Sequence, residues 1–311
     1  LICDDVLGAI GRTPLVRLHR VLPHGCAEVL AKLEFFAPGG SIKDRAALAM
    51  IREAEQRGQL RPGATVVEAS AGNTGVGLAI VCAVRGYRCI VVVPQNTSRD
   101  KQSVLRAFGA DVVQARSDVE PSDPAGYIGR AEALASELGA FMPDQFVNPA
   151  NPHAHYESTG PEILADCAGA LDAFVACVGS GGTLGGTARF LREKLPQVRI
   201  VGAMPEPTSQ AADCGTLVEG IIDDLGDCTQ PDAVPDDVVT IPDRDALNMT
   251  LRLAREEAIL GGGSAGVAVC AAIRVASELG VGKRVVTIVP DTGRNYLSTY
   301  FDPGWRATRG L

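Results

Sequence analysis

Lys43 stands between a glycine pair and an amphipathic run in "FAPGGSIKDRAALAMIREAEQRG", Phe36 to Gly58. A helix beginning there puts a cation where the macrodipole is already positive, the end that basic side chains avoid. One reading is an ordinary solvated lysine in a mediocre position. The other is a nucleophile, because a helix start disfavours the ammonium form and a deprotonated amine can attack a carbonyl. Glycine loops elsewhere in the chain bear on the choice. "SAGNTG", Ser70 to Gly75, follows an apolar run and opens a helical one. Backbone N–H groups at such a helix start bind anions. The loop contains no basic residue, so a carboxylate or a polar ring substituent suits it as well as a phosphate. Its plainer reading is a strand-to-helix turn capped by Ser70 or Asn73.

"GSGGTLGG", Gly179 to Gly186, is the better phosphate cradle, with hydroxyls at Ser180 and Thr183 and glycines that admit close backbone approach. It departs from the dinucleotide fingerprint, which needs a third glycine where Leu184 stands. Glu206 could still imitate a ribose-binding acid, so a nicotinamide-dependent oxidoreductase is a competing reading. "VPDTGRNY", Val289 to Tyr296, offers Asp291 and Thr292 at the carboxyl end of a strand, where open α/β sheets bind ligands. A phosphate cradle, a carboxylate cradle and a lysine together suit pyridoxal phosphate, which has a phosphate, a ring and an aldehyde that condenses with lysine.

The elements that must position these residues follow from hydrophobic periodicity. "ATVVEA", "YRCIVVVP" and "DVVQA" read as strands, separated by the helical runs "TGVGLAIVCAVRG" and "RDKQSVLRAFGA". This βαβαβ series marks a parallel sheet covered by helices. The pattern restarts with the strand "AFVAC", the helix "TLGGTARFLREKL" and the strand "VRIVGAMPE". Two further helices and the strand "KRVVTIVP" complete it. The expected fold is α/β, two lobes with a cleft between them. Ser117–Gly126 and Cys214–Asp237 read as loops.

The chain has 311 residues, a net charge of −8 and 46% hydrophobic residues. That balance argues against a nucleic-acid or anionic-membrane surface. No apolar run reaches the roughly 18 residues of a membrane span, and no signal peptide is visible. Nine cysteines, widely spaced and without a C-x-x-C, read as free thiols in a reducing compartment. "HAH" at 153–155 is the only hint of a metal, and none is expected.

The motifs "GRTPLVRL" (11–18), "GGSIKDR" (39–45), "SAGNTG", "QFVNPANP" (145–152), "GSGGTLGGTARFL" and "PDTGRNYLST" occur in the order and spacing of a known family. The chain resembles, over nearly its whole length, the pyridoxal-phosphate β-replacement enzymes, the cysteine synthases and cystathionine β-synthases. The resemblance implies two three-layer α/β lobes with mostly parallel sheets, the tryptophan-synthase-β-like fold type II. It implies a smaller, mobile substrate-binding lobe of residues 1–12 and 35–147 and a larger cofactor lobe of 13–34 and 148–311. By the same resemblance Lys43 carries the cofactor and Asn73 meets its ring hydroxyl. Gly179, Ser180, Gly181, Gly182 and Thr183 hold the phosphate. Thr292 faces the pyridine nitrogen, for which Asp291 is a rival on chemical grounds. Ser70, Ala71, Gly72 and Thr74, with Gln145, bind the substrate carboxylate.

The implied reaction removes the β-substituent of serine or an O-activated serine (O-acetylserine or O-phosphoserine), passes through an aminoacrylate and adds a thiol or sulfide. An amine nucleophile in a specialised pathway, giving a diaminopropionate-type product, and a serine/threonine dehydratase are the alternatives. "DQFVNPANPHAHYESTGPEI", "LRLAREEAILGGGSAGVAV" and "PDTGRNYLSTYFDPGW" are most similar to bacterial cystathionine β-synthase. No haem extension and no C-terminal regulatory domain are expected. The enzyme is expected to be a cytoplasmic homodimer. Two residues depart from the pattern: Ala71, where a serine is usual, and Ile222, where a second glycine is usual.

Overall fold

The computed structural model describes residues 2–206, 216–221 and 233–311. Cys214, Ile222 and Cys228 lie outside the described residues. The strands, in chain order, are β1 (Leu15–Arg17), β2 (Glu28–Leu33), β3 (Thr65–Ala69), β4 (Arg88–Pro94), β5 (Asp111–Ala115), β6 (Ala173–Cys177), β7 (Arg199–Glu206), β8 (Asp237–Pro242) and β9 (Arg284–Val289). The helices are α1 (Lys43–Gln56), α2 (Asn73–Arg85), α3 (Arg99–Ala107), α4 (Tyr127–Leu138), α5 (Ala150–Ala154), α6 (Gly160–Asp166), α7 (Gly182–Lys194), α8 (Asp243–Glu256), α9 (Gly263–Leu279) and α10 (Pro303–Ala307). A π turn, His155–Thr159, joins α5 to α6. The chain forms two compact units, Leu1–Ile10 with Ala37–Asn151 and Gly11–Phe36 with Pro152–Leu311.

In the first unit β3, β4 and β5 form a parallel sheet in that order, with Val66 opposite Cys89 and Val67 opposite Ile90. Both faces are covered, so the strands read as continuous apolar runs rather than alternating ones. Val66, Val91 and Val93 pack with Ala47, Ile51, Leu78 and Cys82 of α1 and α2. Val67, Ile90 and Val92 pack on the other face with Ala131 and Ala135 of α4. The free edge of β3 is taken by the chain at Phe141. Val67 N donates to the Phe141 carbonyl at 2.9 Å, and Phe141 N donates to that of Thr65 at 3.0 Å.

α1 and α2 approach closely because α2 carries a glycine one turn from its start. A Cβ at Gly77 would lie 3.0 Å from Ala47 Cβ, 3.1 Å from the Lys43 carbonyl oxygen and 3.3 Å from Asp44 Cα. The absence of a side chain at 77 therefore sets where the first turn of α1 lies against α2.

In the second unit the strand order is β1-β2-β9-β6-β7-β8, parallel except for β1. Val29, Ala31 and Leu33 of β2 face Ala246, Leu247 and Leu253 of α8 and Val267 and Ala271 of α9. Lys32 points the other way and is fully buried. Its Nζ lies 2.9 Å from Glu162 Oε2 and 3.3 Å from Asp166 Oδ2, and donates to the Thr13 carbonyl at 2.7 Å. Breaking such a cluster by removing one partner would strand a charge without water.

The expected βαβαβ series is present as β3-α2-β4-α3-β5, and the later series as β6-α7-β7. Among the described residues the cysteines are free, with Cys82, Cys89 and Cys167 buried and Cys177 and Cys270 half-buried. No helix among them is long and apolar enough to cross a membrane. Gly77→Ala is expected to cost about 1–3 kcal/mol through overpacking against α1. Urea denaturation of purified protein measures it, and a midpoint equal to the unsubstituted chain's would show that the α1–α2 contact yields without cost.

Candidate active site

Lys43 is the first residue of α1. The turn before it is built by Gly39 and Gly40. Gly39 N donates to Asp44 Oδ2 at 2.6 Å, and Gly40, at φ 75°, closes a turn onto the Ala37 carbonyl. A side chain at Gly39 would collide with the Asp44 carboxylate. Asp44 is fully buried and supplies the negative charge that a helix start favours. Lys43 beside it is half-buried. Desolvation brings its pKa down from the ordinary lysine value to about 8, and the helix start acts in the same direction.

The Ser70–Gly75 loop leaves the carboxyl end of β3 and opens α2. Ser70 Oγ accepts from Gly72 N at 3.3 Å and from Gly75 N at 3.1 Å. Ser70 thus acts partly as the cap its type suggested, with Gly72 at the cap position and Asn73 the first helical residue. Ala71 is exposed; Gly72 and Asn73 are half-buried. Thr74 Oγ1 donates to Gln145 Oε1 at 2.6 Å. The structure therefore brings Ser70, Gly72, Thr74 and Gln145 together within the first unit, although Gln145 is 71 residues from Thr74 in sequence.

Gln145 is held from behind by a residue that the strand pattern did not mark. Glu68 of β3 is 2% exposed. Its Oε2 accepts from Asp144 N at 3.0 Å and its Oε1 from Gln145 N at 3.4 Å. Asn151 Nδ2 donates to the Gln145 carbonyl at 2.8 Å.

In the second unit the Gly179–Gly186 loop follows β6, and the Pro290–Tyr296 segment follows β9. β6 and β9 are adjacent and parallel, so both segments leave the same edge of the sheet. Gly181 caps α7 at φ 78°, and Gly182 and Thr183 begin the helix. A Cβ on Gly179 would lie 2.8 Å from the Gly220 carbonyl oxygen. Thr183 Oγ1 is 3.3 Å from Nε2 of His155, whose Nδ1 is 2.9 Å from Thr159 Oγ1. His155 is fully buried. It belongs to "HAH" but sits between two threonine hydroxyls, and no group of three or more metal-ligating side chains occurs among the described residues.

Asp291 and Thr292 differ in their surroundings. Asp291 is 2% exposed and its Oδ2 accepts from the Tyr296 hydroxyl at 2.7 Å. Thr292 is half-buried, and its Oγ1 accepts from Arg294 N at 3.3 Å. The chemical inventory is a lysine with a depressed pKa, a helix start lined by Ser70 and Thr74, and a second helix start lined by glycines and Thr183.

Comparison with known proteins agrees with that inventory. Residues 6–291 match the family model described as pyridoxal-phosphate dependent enzyme. Cystathionine beta-synthase of Mus musculus is 41% identical over all of this chain and 57% of its own length. The chain thus spans little more than half of that relative. Cysteine synthase of Staphylococcus aureus (strain Mu50 / ATCC 700699) is 42% identical over 95% of this chain and 96% of its own. The crystal structure of O-ureido-L-serine synthase superposes with a TM-score of 0.90 and 39% identity, covering 97% of this chain and 96% of that one. With the family model matching nearly end to end, this chain belongs to the family of pyridoxal-phosphate-dependent enzymes.

Proposed function

We propose that the chain catalyses pyridoxal-phosphate-dependent β-replacement on serine or an O-activated serine, joining a thiol or sulfide to the β-carbon to give cystathionine or cysteine. The observation that carries the reading is Lys43, a lysine at a helix start whose pKa is brought down to about 8. Near pH 8 half of such amines are neutral, against about one in a few hundred for an unperturbed lysine. A neutral amine can both bond an aldehyde and take a proton from the substrate Cα.

The residues present in each unit fit the cofactor. A side chain at Gly179 would meet the Gly220 carbonyl, Gly181 takes a left-handed φ of 78°, and the positive start of a 13-residue helix follows them. Gly179, Ser180, Gly181, Gly182 and Thr183 would hold the phosphate. Asn73 would meet the ring hydroxyl. Thr292 would face the pyridine nitrogen; of its rival Asp291, one carboxylate oxygen accepts from the Tyr296 hydroxyl. When bound, the cofactor supplies the electron sink that lets a β-substituent leave. Ser70, Ala71, Gly72, Thr74 and Gln145 would bind and orient the substrate carboxylate. Free cysteines support a cytoplasmic enzyme, and a homodimer is part of the same reading.

A second reading keeps the chemistry and changes the nucleophile to an amine. Ala71 favours it by removing a hydroxyl beside the proposed substrate. The O-ureido-L-serine synthase likeness supports only a nucleophile other than sulfur, since that enzyme's name specifies an oxygen-linked serine product.

The holoenzyme is expected to carry a visible absorbance band that Lys43→Ala abolishes along with turnover. A colourless protein that takes up no pyridoxal phosphate would end the reading. Supplying serine, O-acetylserine and O-phosphoserine in turn, each with homocysteine, sulfide or an amine, identifies the pair by product mass. Uptake of pyridoxal phosphate by apoenzyme should slow up to about tenfold per pH unit below 8, as the reactive neutral amine is protonated. Stopped-flow absorbance between pH 6 and 9 measures it. His155→Ala is expected to raise the pyridoxal phosphate concentration for half-reconstitution about tenfold, by freeing the Thr183 hydroxyl. The band at saturation should be unaltered.

A further inference from the structure

Glu68 is a carboxylate on an apolar face. It stands opposite Val91 of β4 and on the same side of the sheet as Val66, which packs with Leu78 and Cys82 of α2. The chain at Phe141 completes the edge of β3 by backbone hydrogen bonds. One step further along, the Glu68 side chain takes over. Each of its oxygens receives one backbone N–H, from Asp144 and from Gln145. Asp144 is held at φ 48°, a left-handed conformation that a non-glycine residue adopts only when its surroundings impose it. The side chain of Gln145 then meets Thr74.

We propose that Glu68 is a positioning residue: by holding the Asp144–Gln145 turn it fixes Gln145 against Thr74 and sets the affinity for the amino-acid substrate, and protonation of its carboxylate loosens that hold. This rests on the proposed carboxylate-binding role of Thr74 and Gln145. A carboxylate can accept both N–H groups. A carboxylic acid carries a proton on one oxygen, which then confronts an N–H donor. Burial, together with the nearby Asp144 charge, raises the pKa of Glu68 to about 7 against the lowering effect of the two N–H groups. Among the described residues, Cys89 of β4 is a further titratable group near it; its thiol is pushed up and hydrogen-bonds Cys82 of α2. Glu68 is therefore the group whose charge changes near neutrality.

Glu68→Gln fixes the neutral state, with an amide N–H in place of one acceptor. In the holoenzyme, absorbance titration with O-acetyl-L-serine, and with L-serine, reads amino-acid affinity separately from turnover. Above pH 7 the half-saturating concentration is expected to rise about tenfold, the loss of one charge-assisted hydrogen bond, with turnover at saturation changed less than twofold. The variant-to-parent ratio should fall toward one as pH drops below 7, because the parent becomes protonated too. Using the ratio cancels the ionisation of the substrate's own amine. Amide exchange of the 143–147 segment, measured by mass spectrometry on the holoenzyme, should quicken in Glu68→Gln while β4 is unchanged.

A ratio of one at all pH values, or unaltered exchange, overturns the proposal. Gln145→Ala separates its failure from that of the underlying reading. Weakened affinity in Gln145→Ala beside parent-like Glu68→Gln rejects only the role of Glu68. Parent-like affinity in both rejects the carboxylate cradle itself. If Glu68→Gln does not fold, exchange in the parent serves. After correction for intrinsic rates, protection of the segment should fall as pH drops through 7, and constant protection overturns the proposal.

Discussion

The first unit depends on the contact between two helix starts. Gly77 of α2 lies against the Lys43 carbonyl and Asp44 Cα, so the opening turn of α1 is placed by the opening turn of α2. Lys43 and Asn73 are the first residues of these two helices. Their separation is thus set by backbone packing, which is stiffer than any arrangement of long side chains. Two positive helix ends side by side disfavour a cation, and burial adds to this at Lys43. Asp44 offsets part of that field, and its carboxylate is spent on Gly39 N, so it ties the preceding turn to the helix. Two glycines, one aspartate and one lysine therefore form a single device.

The second unit solves a similar problem with an ion cluster. Lys32 is buried among Glu162, Asp166 and the Thr13 carbonyl, which joins β2, the segment before β1, and α6. A buried pair of this kind adds little net stability over an apolar replacement, but it tolerates few alternative arrangements. Its location fixes α6 relative to β2. The π turn that carries His155 leads directly into α6, and His155 meets Thr183. The glycine loop is thus supported by a sequence-distant chain of contacts, not only by its own glycines.

The legible parts of the sequence were those governed by local rules. Glycine loops after apolar runs, the helix beginning at Lys43 and the βαβ alternation all express short-range geometry, and each is found in the fold. Glu68 was not legible for the opposite reason. A charged residue in a strand normally marks a solvent face, but here both faces of β3 are covered, and the partners of Glu68 lie 76 and 77 residues away. Lys32 in "VLAKLEFF" misleads in the same manner, with its two carboxylate partners more than a hundred residues downstream. His155 suggested a metal because its neighbour His153 shares the motif, whereas its ring lies between hydroxyls, one of them 28 residues away. β1, β2, β8 and α4 went unmarked: β1 has only three residues, and in β2 a charged residue, Lys32, interrupts the apolar run.

Both glycine loops lack basic residues, and the chain carries a net charge of −8. An anion approaching from a distance therefore meets repulsion rather than steering, though physiological salt screens it beyond about 8 Å. Whatever affinity the loops have must come from short-range donation by oriented N–H and O–H groups. Such groups contribute only when their geometry is held, because a misdirected backbone dipole has no charge to fall back on. This is why the supporting residues are buried and hydrogen-bonded: Glu68 behind Gln145, His155 behind Thr183, Asp44 behind the Gly39 turn. A lysine or arginine in either loop would bind anions with less exact placement. A chain without them needs a stiff second layer, and the polar residues spent on that layer are the ones least visible to a reading of local pattern.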